Sequence, residues 1–299
     1  MNHYHIGIIG SGPAGMACAL QLRRMGFEPV VFERPEPRSM LRMANWVENY
    51  LGFPEGIRGE DLYRHFREQL DRFQVEHIYK EVRNIVLYED DFLIDTYDEN
   101  YLCSVLVLAS GTRPKRTVIP TWNEAVEKYF HYDISQIPLQ GGLSVGIIGI
   151  GDAAFDYALN LNKRGHQVKI YGRSETIVAN SALMGQFKRI EGIELNLNHM
   201  LSTVDEVVQG KIRCKFRKND SLVEHDLDCL IFATGREANM EFLDDSVLDK
   251  LDELKQDKKL FLAGDVNNGD FRQTAIATGD GIKAAMEIYQ YESNSEDRE

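Results

Sequence analysis

Apolar residues gather in short blocks along the chain, and glycine-rich turns separate those blocks. "HIGIIG" (5–10) reads as a strand, the turn "GSGPAG" follows, and "MACALQLRRMG" (16–26) reads as a helix closed by Gly26. A second strand, "PVVFE" (29–33), ends in Glu33. The order then repeats. A strand over 143–149 leads into "GIGDAA", a helix runs to about Arg164, and "QVKIY" (167–171) is a strand. "CSVLVLASGTRP" (103–114) and "LDCLIFATGREAN" (227–239) are each an apolar strand ending in a turn of small residues, Ser-Gly-Thr in the first and Ala-Thr-Gly in the second. Residues 258–288 read as a strand, a Gly-Asp turn and a helix rich in small residues.

Strands alternating with helices predict an α/β protein built from two Rossmann-like dinucleotide-binding domains. The last segment has no nucleotide turn and is too short to stand alone, so it must return to complete the first domain. The second domain is thereby inserted into the first. The division expected is 1–116 with 238–299 for the first domain and 117–237 for the second, with the polar "SNSEDRE" (293–299) as a disordered tail.

The turns carry the candidate chemistry. In "GSGPAG" (Gly10, Ser11, Gly12, Pro13, Ala14, Gly15), Gly10 permits the tight turn and Gly12 lets the backbone approach a pyrophosphate. Gly15 lets the helix pack on the strand, and the helix N-terminus faces the anion. Glu33 lies 23 residues after Gly10, where a carboxylate accepts hydrogen bonds from an adenosine ribose. The second turn offers Gly149, Gly151, Asp152, Ala153 and Ala154, and a small third residue is tolerated there. No acid ends its second strand, which runs into Tyr171-Gly172-Arg173. Arg173 suits a ribose bearing a 2′-phosphate; an ordinary solvated arginine is the alternative.

Length and composition narrow the classes further. The 299 residues suit about two domains, and 43% hydrophobic with 27% charged content is ordinary for a globular chain. The net charge of −13 argues against a nucleic-acid partner and disfavours acidic protein partners. No run approaches the roughly 20 apolar residues that span a membrane. The N-terminus lacks the basic region and cleavage site of a secretory signal. Cys18, Cys103, Cys214 and Cys229 lie 85, 111 and 15 residues apart, which matches neither a zinc site nor a C-x-x-C pair. Each sits among apolar neighbours, as buried thiols in a reduced, cytoplasmic compartment would. No metal is expected.

Taken together, "GSGPAG", "VENYLGF", "LASGT", "GIGDAA", "ATG" and "GDV…FRQTAIATGDG…AA" resemble the low-molecular-weight thioredoxin reductase-type flavoproteins over nearly the full length. The resemblance implies non-covalently bound FAD in the first domain, and NADPH, with NADH as an alternative, in the inserted one. It implies that Asn49 approaches the isoalloxazine, that Asp265 binds the ribityl and pyrophosphate region, and that Arg272 and Gln273 meet the pyrimidine end. Arg34, Arg42, Asn45, Val82, Ala109, Ser110, Gly111, Gly264 and Thr274 complete the implied FAD set, with Gly235 and Arg236 added on the NADP side. A homodimer is expected, with the inserted domain turning on its two crossings to bring nicotinamide to flavin within roughly 3–3.5 Å.

One family feature is missing. Thioredoxin reductases carry a C-x-x-C disulfide shortly before the second turn, where this chain reads "YFHYDISQIPLQGG", with Tyr132 and Ser135 at the two positions. Disulfide exchange needs an attacking thiolate and a leaving one. A related branch, the thioredoxin reductase-like ferredoxin–NADP reductases, lacks the disulfide and often has a His-Tyr pair, which His131-Tyr132 resembles. That branch also covers its flavin with a C-terminal aromatic segment that "SNSEDRE" does not resemble. His131 and Tyr132 are the candidates for facing the flavin; packing beneath the inserted domain is the alternative. Arg42, Asn45 and Trp46, in "PRSMLRMANW", are candidates for lining the acceptor site or for a loop over FAD. The expectation is an NADPH-dependent flavin oxidoreductase passing electrons directly to a small-molecule or carrier acceptor. Ferredoxin or flavodoxin reduction and a non-catalytic redox-sensing flavoprotein are the competing readings.

Overall fold

The computed structural model describes residues 1–36, 39–117, 119 and 124–296. Two compact units emerge: Met1–Arg42 with Trp46–Arg113 and Glu237–Glu299, and Met43–Asn45 with Pro114–Arg236. The units change at 114 and 237, where the sequence placed the crossings at 117 and 238, and Asn45 groups with the second unit.

The chain opens with β1 (Asn2–Ile9), α1 (Pro13–Arg24), β2 (Val30–Glu33), α2 (Met40–Met43), α3 (Gly59–Asp71), β3 (Glu76–Tyr79), β4 (Val82–Tyr88), β5 (Asp91–Thr96), β6 (Asn100–Leu108) and β7 (Thr112–Pro114). The inserted stretch holds α4 (Glu124–Glu127), β8 (Phe130–His131), β9 (Ser144–Ile148), α5 (Asp152–Lys163), β10 (Gln167–Tyr171), α6 (Ser181–Phe187) and β11 (Ile193–Asn196). It continues with β12 (Met200–Val208), β13 (Lys211–Lys218), β14 (Ser221–Leu227), β15 (Cys229–Phe232) and β16 (Arg236–Ala238). The return supplies α7 (Asp245–Leu248), α8 (Leu251–Gln256), β17 (Leu260–Leu262), a 3₁₀ turn (Gly264–Val266) and α9 (Thr274–Glu296).

In the first unit, β3-β2-β1-β6-β17 form a parallel sheet, and β4 and β5 add antiparallel to the start of β6. Strand β6 serves both parts. Its first half alternates in burial and pairs with β5, Phe92 opposite Cys103, whereas Val105–Leu108 is buried throughout and Leu106–Leu108 pair with β17. Alternation suits a sheet with one wet face; a continuous apolar run suits a parallel sheet covered on both sides. The core here centres on Phe32, Ile85, Phe92, Leu106 and Leu260. The second unit repeats the order as β11-β10-β9-β15-β8, all parallel, with β8 in the place of β17. An antiparallel meander, β12-β13-β14, packs its Ile212, Cys214 and Phe216 into that unit's core.

Helix α9 lies directly on α1. A side chain at Gly281 would bring its Cβ to 2.1 Å from the Ala14 carbonyl oxygen, so the two backbones touch and only glycine fits. Residues 293–296, whose polarity suggested a disordered tail, continue α9, and Asn294 Nδ2 donates to the Gln290 carbonyl at 2.7 Å. A helix already propagating extends through polar residues at little cost. Residues 297–299 lie outside the described set. Among the described residues no helix is long and apolar enough to cross a membrane.

Candidate functional site

The first cradle is built by sterics at three glycines. Gly10 has φ +105°, and a Cβ there would stand 2.6 Å from the Ala109 carbonyl oxygen; at Gly15 it would stand 1.9 Å from the Gly10 oxygen. Both positions are closed to side chains. Gly12 is the opposite case, with nothing within 4 Å of where its Cβ would sit. Gly12 is also the N-cap of α1, with no capping side chain and Pro13 following. The first-turn N–H groups of α1 therefore remain for an anion, over ground that only a glycine leaves open. This arrangement fits the pyrophosphate of a dinucleotide.

Around the cradle the implied residues are held by backbone bonds. Ala109 N–H donates to Ile9 (2.9 Å), Ser110 Oγ to the Asn239 carbonyl (2.7 Å), and Asn239 N–H to Gly111 (3.0 Å). Gly264, at φ +79°, donates its N–H to Asp280 Oδ2 at 3.2 Å, and Asn268 Nδ2 reaches the same oxygen at 2.5 Å. Asp280 thus fixes the 3₁₀ turn that carries Asp265. Asn49 Nδ2 donates to Gln273 Oε1 at 2.6 Å, joining two implied flavin-binding residues 224 positions apart. Thr274 opens α9, and Arg272, half-buried, donates its N–H to the Asp270 carbonyl at 3.0 Å.

Glu33 carries partners that its sequence neighbourhood does not show. It ends β2 as predicted, yet it is only 3% exposed. Its Oε1 accepts from Ser11 Oγ and from the Tyr63 hydroxyl (3.2 Å), and its Oε2 from Arg67 (2.6 Å), with His77 Nδ1 at 3.4 Å. Burial alone would push the carboxyl up; the close His77 ring, bonds from Ser11 and Arg67, and the guanidinium charge reverse that and hold it at about 2. A carboxylate offers about four acceptor sites, and Ser11, Tyr63 and Arg67 occupy three of them. A ribose hydroxyl arriving there would join these donors at the remaining acceptor site. Tyr63 and Arg67 escaped the sequence reading, although their i, i+4 spacing on the strongly amphipathic α3 placed them on one face.

Other candidates turn to neighbours. Arg34 pairs with Glu81 at 2.8 Å, and Val82 begins β4 opposite Thr96. Arg42 forms a fork on Glu60 (2.9 and 3.1 Å) and lies over the Tyr63 ring. Trp46 lays its indole against Gly56, where a Cβ would fall 2.3 Å from Nε1. Asn45 contributes its backbone N–H to Asp156, at 3.2 Å from Oδ2. Burial raises the Asp156 carboxyl to about 6, against the pull of that bond and with the charge of Asp152 adding to the rise.

The second cradle repeats the first. Gly149 has φ +133° and a Cβ there would meet the Ala233 oxygen at 2.3 Å; Gly151, the N-cap of α5, is open; Ala154 is fully buried where the helix meets its strand. Asp152, at the first helical position, accepts from Asn180 N–H at 2.7 Å, with Ala153 half-buried beside it. Gly235, at φ +112°, accepts from Lys115 N–H at 3.0 Å, and Arg236 begins β16, which pairs with β7 so that the two crossings form one ribbon. Tyr171 explains the missing acid: it is 1% exposed, its ring stacks on Phe216 at 3.9 Å, and its hydroxyl bonds His225 Nδ1. The strand end is filled by core. Arg173, two residues on, is exposed.

All four cysteines are free and buried, and burial pushes each thiol up to about 12. Where the resemblance would place a dithiol, Ser135 bonds Asp133 through both Oγ (2.5 Å) and N–H (2.8 Å). Tyr132, a candidate flavin-facing residue, packs on Phe232 with ring centroids 5.7 Å apart, against the core of the second unit. An aromatic one residue past β8, beside a buried phenylalanine, finds its apolar partner inside its own unit. His131 Nδ1 lies 3.0 Å from Gln136 Oε1.

Two glycine cradles, each at the carboxyl end of a parallel sheet and each opening a helix, define a protein of the two-domain FAD/NAD(P)-binding fold. The chain belongs to the pyridine nucleotide-disulphide oxidoreductase family, whose pattern matches residues 4–281. It is 29% identical to NADPH-dependent thioredoxin reductase 3 of Arabidopsis thaliana over 95% of its own length, and spans 57% of that longer protein. It is 27% identical to the thioredoxin reductase of Chlamydia pneumoniae, covering 97% of this chain and 99% of that one. Among solved structures, the thioredoxin reductase of Lactococcus lactis in its FR conformation superposes with a TM-score of 0.81 at 26% identity, over 96% of this chain and 98% of that one.

Proposed function

We propose that this chain is an FAD-dependent NADPH oxidoreductase whose electrons pass directly to a small-molecule or electron-carrier acceptor other than thioredoxin. The observation that carries the proposal is the state of the thiols. All four are buried with the thiolate suppressed, no two are spaced as C-x-x-C, and the resemblance puts Tyr132 and Ser135 at about the positions of the family's dithiol. A relay into a protein disulfide needs an accessible thiolate.

FAD, when bound, supplies the two-electron acceptor for NADPH. The chain's residues hold it: Gly12 admits the pyrophosphate to the N-terminus of α1, Asp280 sets the turn bearing Asp265, and Asn49 with Gln273 forms a hydrogen-bonded pair toward the ring end. In the second unit Gly151 and the start of α5 take the NADPH pyrophosphate, with Arg173 offered to the 2′-phosphate. The test is a variant with all four cysteines replaced by Ser or Ala, assayed with NADPH and ferricyanide or a small quinone. Retained turnover, with no reduction of thioredoxin by the parent protein, supports direct transfer. Loss of turnover with FAD still bound refutes it.

A further inference from the structure

Sequence reading found no acid at the end of β10 and left Arg173 alone to set cofactor choice. A carboxylate does follow in the segment just beyond β10, which ends at Tyr171. Glu175 lies two residues beyond Arg173, and its Oε1 accepts from Asn198 Nδ2 at 2.7 Å. Asn198 sits in the turn after β11 at φ +59°, a conformation asparagine tolerates better than most residues. The ends of β10 and β11 are themselves tied, since Gly172 N–H donates to Asn196 (2.9 Å) and His199 N–H donates to Gly172 (2.8 Å). Both Arg173 and Glu175 are exposed, and among the described residues no ion pair within 4 Å joins the two. Its carboxylate is therefore held in place by a neutral amide.

A carboxylate at the end of the second strand of such a unit, beside the adenosine ribose, accepts a 2′-hydroxyl and repels a 2′-phosphate. Asp152, at the start of α5, adds a second negative charge to the same cradle. Among these three residues, one is a cation and two are anions. We infer that Glu175 is a specificity-determining residue of the second nucleotide site, which opposes Arg173 and admits NADH alongside NADPH. The inference rests on the proposal that the second unit binds a nicotinamide dinucleotide, and it sharpens which one.

The test separates the two claims by measuring binding without turnover. FAD-loaded protein is titrated calorimetrically with 2′,5′-ADP and with 5′-AMP. Glu175→Gln is expected to shift the affinity ratio toward 2′,5′-ADP by about fivefold, the size of one exposed charge contact. Glu175→Asp should hold the parent ratio. The kcat/KM ratio for NADPH over NADH should move in the same sense. If both fragments bind the parent protein and Glu175→Gln leaves their ratio unchanged, the inference is overturned. If neither fragment binds, the nucleotide assignment of the second unit fails, and the inference with it.

Discussion

Gly281 and Gly279 lie two residues apart on α9 and should respond oppositely to the same change. A Cβ at Gly281 would stand 2.1 Å from the Ala14 oxygen, 2.9 Å from its carbon and 3.0 Å from the Cys18 nitrogen; at Gly279 it would meet nothing within 4 Å. The atoms it strikes are backbone of α1, so no side chain can swing aside. Reaching the 3.4 Å of ordinary contact parts the helices by roughly 1.3 Å, and forcing a packed interface apart costs about 1–3 kcal/mol. Alanine returns up to about 1 kcal/mol of helix propensity at either site. Gly281→Ala should thus destabilise by about 1–2 kcal/mol, and Gly279→Ala should stabilise by up to about 1 kcal/mol. In a unit of this size, that corresponds to a fall of about 3–6 °C for the first and a small rise for the second. The displaced helix carries the pyrophosphate cradle, so Gly281→Ala should also weaken FAD retention. Thermal unfolding followed by flavin release, with FAD affinity from fluorescence quenching, measures both. Equal melting temperatures and equal FAD affinities for the two variants would refute the close-packing argument.

Acid should expose Glu33: its folded value of about 2 lies below the 4.5 of a free carboxyl, so its stabilisation is intact above that value and is lost as pH falls toward 2. Urea unfolding of Glu33→Gln should show a flatter dependence across that window than the parent. Asp156 has the reverse sign: raised from 3.8 to about 6, it supports folding at low pH and withdraws that support as pH climbs through 6. Asp156→Asn should raise the melting temperature at pH 8 relative to the parent and leave it nearly unchanged at pH 4. Thiol reagents at pH 8 should label none of the four cysteines until denaturant is added, and rapid labelling of the native protein would contradict their burial. Arg173→Ala should raise the KM for NADPH and hardly change that for NADH; equal effects on both would show that Arg173 does not meet the phosphate.

The sequence carried the fold because each unit's signal is local: a short apolar block, a glycine turn, then a helix. Gly10, Gly12 and Gly15 occupy the positions their spacing assigned, and Gly149, Gly151 and Ala154 repeat them. The side-chain partners were not legible, because they come from elements far apart in the chain. Nothing near Glu33 announces Arg67 or His77, which reach it from α3 and β3. Nothing near Glu175 announces Asn198, which reaches it from beyond β11. Tyr132 drew attention through its neighbour His131, yet Phe232, a hundred residues later, decides where its ring lies.

The two sheets are completed from opposite directions. The second unit takes its outermost strand, β8, from residues made before its glycine turn, so every strand of that sheet lies within one uninterrupted stretch. The first unit waits for β17, which pairs with Leu106–Leu108 of β6, and for α9, whose Gly281 seats α1. On the ribosome, the second nucleotide unit therefore has all its parts while the first still shows an open strand edge. Hydrophobic residues of β6 stay uncovered until nearly the last helix is synthesised. A chain cut short before residue 260 would carry a finished second nucleotide unit and an unfinished first one, prone to stick through that edge.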